Sequence, residues 1–172
     1  MQTPTDHPMI ALVEAWAAHF GYYDGKIKLK QGDLGSFTTP DCRLTAHAPL
    51  WQTKPGQEVA VPVATVRMRL AKMQRMAKVA RHDMHLALHP NGDALCLYFV
   101  VKGRLIFVPF TMMTVPVAFV VQAIETEDGL RISEIHEWRA PNPKAASKVL
   151  VNEHNWPTGT PMEPYEGFGA VS

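Results

Sequence analysis

From residue 105 to residue 124 the chain runs twenty residues without a charged side chain. A run that long is either a membrane-spanning helix or strands buried on both faces of a sheet. Pro109 and Pro116 interrupt it, and each would remove a helical hydrogen bond. Val, Ile, Phe and Thr dominate it, and such side chains suit a pleated surface. The segment therefore reads as one or two bent, buried strands, and a membrane span is excluded.

The flanking segments alternate between two periods. Residues 8–20 place Met9, Val13, Trp16 and Phe20 on one apolar stripe, which predicts a helix capped by Asp6 or His7, with Pro8 in its first turn. Residues 63–79 repeat the pattern through Val63, Val66, Leu70, Met73 and Ala77. The period then becomes two: Met84, Leu86 and Leu88 alternate with Asp83, His85, Ala87 and His89. Strands are expected at 42–48, 83–89, 94–101, 104–125 and 130–139, with turns at 90–93, 102–103 and 127–129 and a short helix or turn at 31–38. A helix at 144–155 and an irregular Pro/Gly-rich arm complete the chain. The expected class is α+β: a strongly curved mixed or antiparallel sheet forming a cone-shaped barrel, with N-terminal helices on its concave side and a C-terminal helix. One domain of 172 residues is expected, its core at about 8–140 and the helix and arm at 141–172. Such a cone leaves a deep apolar cavity, a default place for a ligand.

Charge narrows the partners. Seventeen basic residues against sixteen acidic ones give a formal charge of +1, so only a local patch could attract nucleic acid or an anionic membrane. Arg67, Arg69, Lys72, Arg75, Lys78 and Arg81 form a run of one sign, read as a solvated face. Cys42 and Cys96 are too few for a disulfide framework and lack metal-ligand spacing. The first residues lack the pattern of a secretory signal, so a cytoplasmic location is the expectation. Phosphate-binding glycine motifs and G-x-S-x-G are absent from the sequence.

Four motifs occur in a telling order: the first helix running into Tyr23-Asp24-Gly25, the strand start Pro40-Asp-Cys-Arg-Leu, the block at 80–94, and the closing hairpin at 127–139. In this order, over roughly residues 8–138, the chain resembles the nuclear transport factor 2-like superfamily in its SnoaL-like branch. That resemblance implies a curved sheet around a deep pocket, in a homodimer or homotrimer. Within the branch it is similar to scytalone dehydratase and bile-acid dehydratase enzymes, whose pocket tyrosine, aspartate and histidine match Tyr23, Asp24 and His82. The scytalone type has a second pocket histidine where this chain has Lys102 to Leu105, and its strand-one tyrosine falls near Ala46, with His47 beside it. The steroid-isomerase branch fits worse, because its tyrosine falls at Trp16 and its two acids near Ala48 and Val121-Gln122.

Alternation puts His82 on the face of Met84, Leu86 and Leu88, expected to point inward. An imidazole beside a carboxylate is a general-base arrangement, and His82 with Asp24 would form it, Tyr23 binding a substrate oxygen. His47, Trp16, Tyr98 and His136 are the expected substrate-binding residues; the strand register of His136 against Glu137 is open. Asp83, His85 and His89 share the other face, but a strand spreads alternate residues by about 6.6 Å, so they read as solvent-facing rather than as metal ligands. No metal or cofactor is expected. The reading is a cofactor-independent lyase, most simply a dehydratase, acting on a small apolar cyclic or aromatic molecule. A carbon–carbon cleavage would use the same groups. The alternatives are a ligand-binding or assembly module and an isomerase or polyketide cyclase-like enzyme.

Overall fold

A computed structural model describes residues 6–19, 36–46, 59–62, 77–111, 113–138 and 162–165. Tyr23, Asp24, His47, residues 63–76 and the expected helix at 144–155 lie outside the described residues.

Helix α1 (Pro8–His19) begins where the sequence predicts. His7 caps it: its carbonyl accepts from the amides of Ile10 and Ala11 at 3.0 and 3.1 Å, and its Nδ1 accepts from the Met9 amide at 3.2 Å. These bonds satisfy donors that a helix start leaves without partners. Met9, Ile10, Val13 and Trp16 are buried on one stripe.

Among the described residues seven strands form one mixed sheet: β1 (Thr38–Ala46), β2 (Val59–Pro62), β3 (Ala77–Leu88), β4 (Ala94–Leu105), β5 (Met113–Thr126), β6 (Gly129–Trp138) and β7 (Glu163–Pro164). Their spatial order is β2-β1-β6-β5-β4-β3-β7. All pairs are antiparallel except β1 with β6. Among the described residues the sheet is open, with β2 and β7 at its edges, so the curved mixed sheet expected as a cone-shaped barrel is not closed there.

The uncharged run supplies most of β5, whose register with β4 places Leu95 against Val121, Leu97 against Phe119 and Phe99 against Val117. Residues Ala94 to Phe99 are all buried, so β4 is covered on both faces, which explains its continuous apolar run. One face packs Leu95, Leu97, Phe99, Val101, Phe119, Val121, Ile132 and Ile135 against the apolar stripe of α1. The other carries Ala87, Cys96, Tyr98, Ala118 and Val120, with Val100, Trp138 and Met162 beside them. Truncating a core aliphatic to alanine costs about 2–5 kcal/mol, so either cluster alone outweighs any single surface contact.

Three boundaries differ from the sequence reading. Residues 77–79 are strand rather than helix, because Ala77, Lys78 and Val79 pair with Leu105, Arg104 and Gly103. Lys102-Gly103 is not a turn: β4 continues to Leu105, and the loop after it is held by Arg104 Nη1 donating to the Val108 carbonyl at 2.8 Å. The positive φ values a tight turn needs occur at Gly92 and Gly129 instead. Finally, the C-terminal arm is not wholly irregular. Pro164 and Glu163 pair with His85 and Leu86, and the Tyr165 hydroxyl donates to the Glu14 carboxylate of α1.

Candidate active site

Asp83 decides where His82 lies. It has φ 52° and sits in a bulge of β3, where the three steps from His82 to His85 oppose the two steps from Val100 to Tyr98. The extra residue shifts the alternation. After the bulge Leu86 opposes Leu97, on the α1 face; before it His82 opposes Val100, on the other face. The expectation that His82 shares a face with Leu86 and Leu88 is thereby corrected. A sequence period cannot register an inserted residue, since only its φ gives it away.

The same ladder gathers the remaining described candidates. Trp138, Ala118, Tyr98 and His85 form one row across β6, β5, β4 and β3. His136, Val120, Cys96 and Ala87 form the next row toward one end, and Pro116, Val100 and His82 the next toward the other. Residues paired across a ladder share a face, and strands are about 4.8 Å apart. His82, Tyr98 and His136 are therefore on one face, together with His85. Trp16 is not with them: it is buried on the α1 side, among the apolar cluster. The register of the last strand is also settled, because His136 opposes Val120 and Glu137 opposes Phe119 on the α1 side.

The chemistry of this face is specific. His136 Nε2 lies 2.9 Å from Glu134 Oε1, and its ring stacks on Trp138 at 5.6 Å with planes 28° apart. A carboxylate in that position fixes which ring nitrogen carries the proton. Tyr98 is 1% exposed, its ring tilted against His85 at 6.3 Å. Burial, and secondarily the Asp83 carboxylate, push the Tyr98 phenol up from its ordinary range. It stays an O–H donor at neutral pH. Burial also pushes the Cys96 thiol up to about 12, so this residue packs rather than reacts.

His85, Glu134 and Trp138 escaped the sequence reading. His85 and His89 were expected to face solvent, yet His85 is half-buried against Tyr98 and the His89 side chain is 17% exposed. The available signal was the alternation of histidines at 85 and 89 with apolar residues, had the opposite face been taken as buried too.

A cleft of about 210 Å³ opens near the same side of the sheet, lined by His89, Asp93, Gln122 and Ser133. Gln122 pairs with Glu134 and Ala94, one row beyond His136. Within the cleft His89 Nδ1 lies 3.1 Å from Asp93 Oδ1, and the Ser133 hydroxyl donates to the Gln122 carbonyl at 3.4 Å. Its volume is below the roughly 300–1,000 Å³ of drug-sized ligand sites, so by itself it admits a small fragment.

No protein-family model and no curated protein matches the sequence. Solved structures do match. BvnE pinacolase from Penicillium brevicompactum aligns over 90% of this chain and 97% of its own, at 9% identity and a TM-score of 0.54. AusH from Aspergillus nidulans aligns over 82% of this chain and 89% of its own, at 13% identity and a TM-score of 0.52. At these identities the likeness shows a shared fold. It is consistent with the nuclear transport factor 2-like fold that the sequence resemblance implies.

Proposed function

We propose that the protein is an acid–base enzyme acting on a small, largely apolar cyclic or aromatic molecule bearing oxygen, most simply as a dehydratase. The observation that carries this reading is the placement of His82, His85 and Tyr98 in adjoining rows of β3 and β4 on one sheet face, with the His85 and Tyr98 rings 6.3 Å apart. The dehydratases that the sequence resembles use a second pocket histidine, which this chain lacks at 102–105; His85 offers a second imidazole, on the strand that carries His82.

In this mechanism His82 takes the proton from the carbon next to a carbonyl, and the C–H electron pair forms the new C=C bond. The neighbouring C–O bond breaks, and the departing hydroxyl takes a proton from His85, which lies on the same strand as His82 and opposite Tyr98. Water leaves, and proton return from His82 to His85 through solvent resets the pair. Tyr98 donates a hydrogen bond to the carbonyl oxygen as it gains negative charge. Tyr23 and Asp24 keep the oxygen-binding and base-orienting roles the resemblance implies. A protein acting on carbon–carbon bonds or cyclising a polyketide would need the same base and oxygen donor. BvnE pinacolase shares this fold.

The test is turnover of hydroxylated cyclic ketones, read by mass spectrometry as loss of one water. His82→Ala and His85→Ala are each expected to lower kcat by about 10²–10⁴-fold, the range for a positioned acid or base. Turnover unchanged by both substitutions defeats the assignment. A ligand that binds both variants as it binds the parent, with no conversion by any of them, favours a binding module.

A further inference from the structure

The hairpin between β4 and β5 ends in apolar side chains that are open to solvent. Leu105 is 37% exposed, Ile106 44%, Phe107 79% and Phe110 65%. Large exposed apolar groups gathered at one tip mark a contact surface rather than a packing accident. The loop is built, not frayed: Arg104 Nη1 donates to the Val108 carbonyl at 2.8 Å and the Val108 amide to the Leu105 carbonyl at 3.0 Å.

Among the described residues, the strand that leads into the tip carries charge of one sign. Lys102 is exposed on β4, two residues before Arg104. No acid occurs in the sequence between Asp93 and Glu125. The chain's balanced total charge therefore hides a local basic collar, Lys102 and Arg104, behind an apolar tip.

We propose that this tip docks on an anionic lipid bilayer, with Phe107 and Phe110 entering the headgroup boundary and the basic collar lying over the phosphates. Apolar insertion and attraction to acidic lipid reinforce each other in such peripheral contacts. A second copy of the chain fits less well, because a two-fold contact through the tip would bring two basic collars together.

The test is co-sedimentation of the full chain with phosphatidylcholine vesicles, with and without phosphatidylserine. Binding is expected only with phosphatidylserine and is expected to fall as salt rises. Replacing both aromatics, Phe107→Ser with Phe110→Ser, should weaken it by at least about tenfold, and Lys102→Glu by on the order of tenfold. Thermal unfolding of each variant checks the fold, with Phe107→Ser alone as the milder substitution. Absence of binding to phosphatidylserine vesicles, equal binding to both vesicle types, or unweakened binding by the Phe variants overturns the proposal. So does a drop in molar mass by light scattering when the phenylalanines are replaced, since the tip would then be a subunit contact.

Discussion

Asp83 holds a left-handed backbone conformation, φ 52°, in the middle of a twelve-residue strand. For a residue with a Cβ that conformation costs roughly 1–2 kcal/mol, less for aspartate than for most. Glycine avoids the cost but loses about 0.5–1 kcal/mol through the greater freedom of its unfolded chain. Asp83→Gly should therefore stabilise by a few tenths to about 1 kcal/mol. Asp83→Val, with a branched Cβ in the same conformation, should destabilise by about 1–2 kcal/mol. In a protein of this length each kcal/mol shifts Tm by about 2–4 °C, so the two variants should straddle the parent by several degrees. Paired urea and thermal unfolding curves measure this. In a regular strand the order reverses, because valine favours strands and glycine weakens them. An Asp83→Val protein more stable than the Asp83→Gly protein would refute the bulge, and with it the face assigned to His82.

Other outcomes follow from the same geometry. Gly92, at φ 75°, has His7 Nε2 2.8 Å from where a Cβ would stand; Gly92→Ala should destabilise by more than about 1 kcal/mol in urea unfolding and loosen the start of α1. Burial first, with Asp41 and Glu134 adding for Cys42, pushes both thiols from 9.0 up to about 12, so a thiol reagent at pH 8 should label the native protein far more slowly than the unfolded one. A raised folded value means that the unfolded chain loses these protons first. Stability should hold below pH 9 and fall between 9 and 12, by up to about 1.4 kcal/mol per pH unit for each thiol. Ile135→Ala, at a fully buried site between the sheet and α1, should cost about 2–5 kcal/mol.

Much of this architecture was legible in the residues. The helix at 8–20, the turns at Gly92 and Gly129 and the strands on either side of them follow from period, proline and glycine alone. Strand ends were less legible: Gly103 reads as a turn residue, yet it pairs with Val79 and Met113 because the hairpin closes farther out. The parallel pairing of β1 with β6 leaves no local signal, since it joins segments far apart in sequence. The candidate site was half legible. The residue types at His82, Tyr98 and His136 are visible in the sequence, but which face each occupies depends on one left-handed residue and on inter-strand register, neither of which alternation encodes. Glu134 carries no motif in the sequence, because its partner His136 lies only two residues away on the same strand.

Contacts between ring and methyl protons test the shared face most directly. In a nuclear Overhauser spectrum, the Ala118 methyl should see both the Tyr98 and Trp138 rings, and the His82 ring should see the Val100 methyls. Contacts from the His82 ring to Leu86 or Leu97 instead would set that imidazole on the α1 side, and the proposed site would come apart.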